Sequence, residues 1–459
     1  MKRFISRIVS SRFVRRLGTV AGFTMLSRAT GALRDLSIAA VLGAGPLADA
    51  FFVALRLPNH FRSIFAEGAF NAAFMPTYGE ALTKEGREQA LAFAGRVLSV
   101  MIVIQIGVLL LAEIYTAPFL AIIAPGFERD PHVAQLTVTL TRITFPFLSS
   151  VVLITVLGAV LNAHGRFAAS AGAPVLFNVF VIVALPFAGL LPSPAYAPAI
   201  GVLVSGGAQF VLVWTALYRA GLSFPLMMPR LDADIRLFLA RVGPAIIGSG
   251  AAQIAVFADT ILGASLPYGA LSALNYADRL YQLPIGVIGV AMGTVLLPEL
   301  TRLNAEGDEY GAQRSEKRAV LWSLAMTAPF AVAFLLFPAD IITIVYRRGA
   351  FLMSDVPRSA ATLQAYSLGL IAVVLIRSVV AGFNARGDTR TPMMVAVSVL
   401  ALNVGLKIAL TGVIDVAGLA AATSAGAWAN LLTLLAIDWN RRRRVLNFER
   451  PEKTAYAGE

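Results

Sequence analysis

Arg28, Arg34, Arg62 and Arg279 fall within long apolar stretches of the chain. Asp35, Asp49, Arg56 and Glu67 accompany them in the first part, and Asp259, Asp278, Arg377 and Lys407 in the second. A guanidinium presents a planar fork of N–H donors that matches the oxygens of phosphate or carboxylate. Several of them together favour an anion of more than one charge, such as a diphosphate. A second chemistry is open to the same residues. Pairing with Asp35, Asp49, Glu67 and Asp278 would fix helix packing and bind nothing. Arg28 and Asp35 are seven residues apart, as are Asp49 and Arg56, so each pair shares a helical face. Pro58 removes a backbone hydrogen bond and re-aims Asn59 and Arg62. Gly31 loosens the helix that carries Arg28 and Arg34. Asp278-Arg279 precede Pro284, Gly286, Gly289 and Gly293, so that helix bends too. Broken helices at membrane depth are tolerated where they line a cavity.

The elements that position these residues follow from composition. Of 459 residues, 58% are hydrophobic and 14% charged, against about 45–50% and about 25% in soluble domains. A soluble fold could not hide so much apolar surface, so the solvent is lipid. A cytosolic enzyme, a secreted domain and a disordered chain are excluded. A charge at the bilayer centre costs about 2.5–3.5 kcal/mol, so four unpaired arginines would cost about 10–14 kcal/mol. They persist by facing a watery cavity, pairing with acids, or binding an anion. The absence of cysteine excludes disulfides, zinc thiolates and a thiol nucleophile. His60, His132 and His164 are too scattered for a histidine metal site. No HExxH, DDxxD or P-loop pattern occurs, and Gly43-Ala44-Gly45 reads as a turn, so an enzyme acting on polyprenyl phosphates lacks its usual motifs and a transporter is the expectation. Without an ATPase motif, its energy comes from an ion gradient or the membrane potential.

Spanning helices need about 20 apolar residues. Twelve such stretches lie near 19–43, 48–79, 92–121, 134–162, 168–191, 196–218, 240–266, 270–301, 317–340, 359–384, 392–412 and 416–438. The predicted fold class is therefore an all-α polytopic integral membrane protein. Lys and Arg crowd the leader (Lys2 to Arg16), the even-numbered loops and the tail from Arg441, while the opposite loops hold only Arg129, Arg347, Arg348 and Arg358. Positive loops face the cytoplasm, which places both termini there. The leader lacks a cleavage site; it is an amphipathic interfacial helix or a topogenic tail. Arg441–Arg444, directly after a span, reads as a positive-inside stop and not as a nucleic-acid contact.

The chain repeats itself. Pro76 pairs with Pro298, and Asn162-Ala163-His164-Gly165 with Asn384-Ala385-Arg386-Gly387, both at an offset of 222. Pro118 pairs with Pro338, Leu57-Pro58 with Leu283-Pro284, and Gly126-Phe127 with Gly349-Ala350-Phe351. Their common order points to duplication. Two six-helix lobes in parallel orientation around a central cavity follow, an arrangement that supports alternating access. The expected divisions are a leader (1–16), an N-terminal lobe (17–222), a linker (223–239), a C-terminal lobe (240–440) and a tail (441–459).

The stretch TMLSRATGALRDLSIAAVLGAGPLADAFFVALRLPNHFRSIFAEGAFNAAFMP (24–76) resembles the MurJ/MviN family of lipid II flippases. YADRLYQLPIGVIGVAMGTVLLPEL (276–300) and GDTRTP (387–392) resemble it too, and the likeness runs from about residue 17 to 440. The family belongs to the multidrug/oligosaccharidyl-lipid/polysaccharide exporter superfamily. The resemblance implies transfer of undecaprenyl-diphosphate-linked disaccharide-pentapeptide from the cytoplasmic to the periplasmic leaflet of the inner membrane. It implies cavity arginines at Arg28, Arg34, Arg62 and Arg279, a cavity carboxylate at Asp49, and Asp35, Asn59 and Glu67 in the same motifs. A sodium site in some members falls on Asp259, Asn384 and Asp388, with Na⁺ or H⁺ as coupling ion and no other cofactor. Asn384 and Asp388 share a face if helix continues there; the other reading is helix capping at Asn384 and a turn at Gly387-Asp388. Implied partners are lipid II, membrane lipids and the cell-wall synthesis machinery, with the chain acting as a monomer. The alternative function is export of drugs or other polysaccharide lipids. Family members usually have fourteen spans, the last two lining a groove for the lipid tail; this sequence reads as twelve, which leaves the seating of the tail open.

Overall fold

In hydrocarbon a helix satisfies every backbone N–H and C=O within its own segment, which is why long apolar runs adopt it. A computed structural model describes residues 12–63, 70–224, 226–229 and 231–448, and helix is the only regular structure among them. In chain order the helices are α1 (Arg12–Leu42), α2 (Pro46–Arg62), α3 (Phe70–Lys84), α4 (Arg87–Ile123), α5 (Pro131–Thr144), α6 (Pro146–Ala163), α7 (Ala168–Ala184), α8 (Tyr196–Arg219) and α9 (Ala233–Ser265). Then follow α10 (Ala270–Pro284), α11 (Val290–Ala305), α12 (Glu309–Leu336), α13 (Pro338–Tyr346), α14 (Val356–Ala385), α15 (Arg390–Ile414) and α16 (Ala417–Phe448).

The expected spans map onto these helices, several of them divided. The span at 134–162 breaks at Phe145-Pro146 into α5 and α6, and that at 270–301 passes through a π-helical turn, Ile285–Gly289, between α10 and α11. Helix α1, by contrast, runs unbroken through Gly31, where loosening was expected. Helix starts carry their usual signals. Asp130, Asp232 and Asp308 cap α5, α9 and α12 by accepting the N–H groups of His132, Ile235 and Gly311 at 2.9, 2.9 and 2.8 Å.

Eight helical stretches among the described residues are long and apolar enough to cross a membrane by themselves, which makes this a multi-pass membrane protein. The four expected spans missing from that set are 19–43, 48–79, 240–266 and 270–301. These carry Arg28, Arg34, Asp35, Asp49, Arg62, Asp259 and Arg279. Arg28, Arg34 and Asp35 interrupt the apolar run of α1, whereas α2, α3, α10 and α11 have 17, 15, 15 and 16 residues.

Two compact units emerge. One comprises residues up to Ser272 together with Val345–Asp355; the other comprises Ala273–Ile344 and Val356 onward. Compactness therefore divides the chain later than the 223–239 segment that separates the sequence repeats. The first unit includes α9 because Phe238 packs edge-on against Phe70, Phe74 and Phe93 of α3 and α4, at centroid distances of 5.7, 6.5 and 6.5 Å. All four rings are buried. The segment before α9 is stitched to α4: Arg87 donates to the Gly221 carbonyl, and Arg96 pairs with Asp232 and Asp234 at 3.0 Å each.

Helices in lipid gain little from burying apolar area, so close packing through small residues decides how they associate. In the first unit a Cβ on Gly201 of α8 would stand 2.8 Å from the Val181 Cα of α7. In the second unit α14 lies along α16. There a Cβ on Gly369 would meet the Ser424 Cα at 2.5 Å, the Ser424 hydroxyl donates to the Ala365 carbonyl at 2.7 Å, and Trp428 Nε1 donates to the Leu368 carbonyl at 2.7 Å. Gly369→Ala should therefore lower the apparent thermal midpoint of the detergent-purified protein, by the equivalent of about 1–3 kcal/mol of overpacking. Gly405→Ala, with nothing within 4 Å of the new Cβ, should leave it unchanged or raise it.

Candidate functional site

The arginines of the first unit meet three different fates. Arg28 is exposed on α1 beside the exposed Met25 and Leu26. Six residues on, Arg34 is 7% exposed and locked. Its Nε and Nη2 donate to Asp35 Oδ1 at 2.9 and 2.6 Å, its Nη1 donates to Asn178 Oδ1 at 2.9 Å, and its guanidinium lies 5.1 Å from the Phe177 ring centroid. Asn178, on α7, also donates to the Ser27 carbonyl at 2.9 Å and the Thr30 hydroxyl at 3.1 Å. Gly31 leaves room for this amide, whose Nδ2 comes within 3.5 Å of where a Cβ would stand. The pairing reading thus describes Arg34 and Asp35 as they stand.

Arg62 sits half-buried one turn beyond Asn59 and donates to its Oδ1 at 3.4 Å. The rest of α2 is tied to α9. Arg56 donates to the Thr260 hydroxyl at 3.3 Å, His60 Nδ1 meets Gln253 Oε1 at 3.1 Å, and Gln253 donates to the Ser63 hydroxyl at 3.2 Å. The His60 ring also packs 4.5 Å from Phe257. Asp49, in the first turn of α2, is 2% exposed. Its carboxylate accepts the N–H groups of Gly269 and Ser272 at 2.6 and 2.7 Å, which caps the positive end of α10. Glu67 lies outside the described residues.

In the second unit Arg279 is exposed on α10, next to a half-buried Asp278 that accepts the amide of Gln282. Arg377 of α14 is exposed and lays its side chain over Gly289 of the π-turn, where a Cβ would stand 2.6 Å from its Cδ. Lys407 is fully buried in α15.

The acidic and amide oxygens proposed for a cation fall in both units. Asp259 is half-buried on α9 in the first unit; Asn384 and Asp388 belong to the second. Helix α14 ends at Ala385, so Asn384 and Asp388 share no helical face. Gly387 N–H instead returns to the Asn384 carbonyl at 2.9 Å, closing a turn. Asp388 accepts the Thr391 N–H at 2.9 Å and hydroxyl at 2.7 Å and pairs with Arg441 at 2.6 Å. Thr391 and the Arg441 guanidinium therefore engage the Asp388 carboxylate in this structure. Among the described residues no cluster of three or more His, Cys, Asp or Glu side chains could hold a metal.

Sequence reasoning missed Asn178, Gln253 and Thr260. The signal was present for the two amides: Asn178 and Gln253 interrupt expected spans, and an amide in lipid needs a partner. It was passed over because neither is charged.

This all-helical membrane architecture is shared with a solved transporter of the MOP superfamily. An inward-facing multidrug resistance MATE family transporter of that superfamily has the same fold, with a TM-score of 0.72, 14% identity, and 92% of this chain and 96% of that one covered. A structure titled lipid II flippase MurJ, inward closed conformation, gives a TM-score of 0.78 at 24% identity, covering 91% and 86%. A family model described as lipid II flippase MurJ matches residues 38–454. The probable lipid II flippase MurJ of Rhizobium meliloti (strain 1021) is 39% identical over 429 residues, 92% of this chain and 80% of the relative. That of Rhizobium tropici is 38% identical over 448 residues, covering 96% and 84%. The chain belongs to the lipid II flippase MurJ family.

The Thr391 N–H and hydroxyl, then Arg441, hold the Asp388 carboxyl well below the usual carboxylate range. A depressed native pKa stabilises the fold fully above the unfolded value of about 4 and loses that stabilisation as pH falls below it. The destabilisation caused by Asp388→Asn should therefore be largest near neutrality and shrink as pH is lowered toward 3, measured by thermal unfolding of wild type and variant across that range.

Proposed function

We propose that this chain carries lipid II, the undecaprenyl-diphosphate-linked disaccharide-pentapeptide, from the cytoplasmic to the periplasmic leaflet of the inner membrane by alternating access. The observation that carries the reading is family membership over nearly the whole chain, at 39% identity to a probable lipid II flippase. The charges agree with it. Arg28 and Arg279 are exposed guanidiniums on helices that otherwise read as membrane spans, and a diphosphate is an anion their forked donors suit. Arg62, held by Asn59, is a third donor. Arg34 contributes indirectly, by fixing α1 against α7 through Asp35 and Asn178. Both termini face the cytoplasm, as the cationic leader, even-numbered loops and tail require. The membrane potential biases the cycle, since one charge crossing 100 mV gains about 2.3 kcal/mol. A drug exporter of the same fold is the second reading, and arginines facing a cavity would repel its usual hydrophobic cations.

Complementation of a flippase-depleted strain separates these roles. Arg28→Ala and Arg279→Ala should abolish growth while the protein stays at normal level in the membrane. Arg34→Ala should instead lower the protein level, because removing one partner of a buried pair costs about 3–5 kcal/mol. Full growth with both Arg28→Ala and Arg279→Ala would remove the diphosphate assignment. Wild-type chain that rescues drug sensitivity but not lipid II translocation would favour the exporter.

A further inference from the structure

The turn after α6 has a counterpart in the second half of the sequence. Asn162-Ala163-His164-Gly165-Arg166 lines up with Asn384-Ala385-Arg386-Gly387-Asp388 at an offset of 222. Both turns close alike: the Gly165 N–H returns to the Asn162 carbonyl and the Gly387 N–H to the Asn384 carbonyl, each at 2.9 Å. Their charges differ. In the second unit Arg386 pairs with Glu316 at 3.0 Å and with Asp438 at 2.8 Å, and Arg441 pairs with Asp388 at 2.6 Å. At the same offset Arg441 corresponds to Arg219, whereas the acids Glu316, Asp438 and Asp388 correspond to Ala94, Ala216 and Arg166. The first half therefore keeps basic residues at this place and lacks the acids that neutralise them.

Arg87 joins this group from the start of α4. Its guanidinium donates to the Gly221 carbonyl, two residues beyond Arg219. On the α6–α7 turn, His164 Nε2 lies 3.0 Å from the Tyr78 hydroxyl of α3. Burial, and then the positive charges of Arg87 and Arg166, hold the His164 ring below its usual pKa, so it is uncharged at neutral pH. Arg87, Arg166 and Arg219 are exposed, and none of them makes an ion pair among the described residues. Glu85 and Glu88, exposed on either side of Arg87, pair with none of them. Lys84, on the same turn, is already held by Glu80 at 2.6 Å. A cation in the last turn of a helix is favourable in itself, which accounts for Arg219 at the end of α8. It does not account for a second and third guanidinium without acids. Like charges gathered in this way repel, and an anion among them relieves the repulsion. Forked N–H donors suit phosphate, and basic residues just outside a span are drawn to anionic lipid headgroups.

We propose that Arg87, Arg166 and Arg219 form a binding site for a phosphate group, carried by an anionic lipid headgroup or free in solution, where the α6–α7 turn and the end of α8 meet the start of α4. The site does not involve Arg28, Arg62 or Arg279 and is independent of which cargo the chain carries.

A ligand that binds the folded chain raises its thermal midpoint with concentration, which gives an apparent affinity. The test follows the midpoint of the detergent-purified full chain against phosphatidylglycerol, phosphatidylcholine and inorganic phosphate at constant ionic strength. Phosphatidylglycerol should give a saturable rise and zwitterionic phosphatidylcholine none. A rise with phosphatidylglycerol alone assigns the site to a lipid headgroup; a saturable rise with inorganic phosphate as well assigns it to the phosphate group whatever carries it. Arg166→Asp gives Arg219 the partner that Asp388 gives Arg441, so the fold should persist while the apparent affinity falls at least tenfold. Arg219→Gln should weaken it at least threefold, and decides the matter if Arg166→Asp fails to accumulate. Lys84→Gln removes a cation of the same turn that is already paired, and should leave the affinity within twofold. No saturable rise with either phosphate source, affinities within twofold of wild type in the arginine variants that accumulate, or an equal loss with Lys84→Gln would overturn the proposal. None of these measurements uses lipid II, so their failure would leave the flippase reading standing.

Discussion

A guanidinium does not lose its proton in a protein, so an arginine at membrane depth must find donors' partners or water. The whole arrangement is organised by that constraint. Arg34 meets it with Asp35, Asn178 and the Phe177 ring, and in doing so welds α1 to α7. Arg56 meets it with Thr260 and helps join α2 to α9. Arg28 and Arg377 meet it by exposure. One residue type therefore serves two ends, as internal strut and as charge offered to a ligand, and burial tells them apart.

This distinction also explains what was legible in the sequence. The helical membrane architecture could be read because lipid leaves the backbone few alternatives, and a run of apolar residues states its own length. The positions of the unusual charges could be read for the same reason. Their partners could not. Asp35 follows Arg34 directly, yet nothing in the spacing says that Asn178, 144 residues later, completes the pair. Asp49 looked like a cavity carboxylate and its oxygens hold the start of α10, because the N–H groups it caps are backbone and leave no mark in composition. At Asp388 local turn chemistry prevailed: the helix stops at Ala385 and Thr391 and Arg441 take the carboxylate.

The duplicated pattern carries further than the helix count. Gly126-Phe127 and Gly349-Ala350-Phe351 were recognisable only as similar strings, but each lies against the hairpin that begins the other sequence half. That crossing is why compactness groups Val345–Asp355 with residues up to Ser272. A duplicated gene supplies both sides of such a contact at once.

The stitching of the segment between α8 and α9 has a mechanical corollary. Arg87 and Arg96 hold its two ends to α4, nine residues and so about 13 Å apart along one rigid rod. Both ends of that connector are therefore held to one helix. A displacement of α4 would carry both ends of the covalent bridge with it.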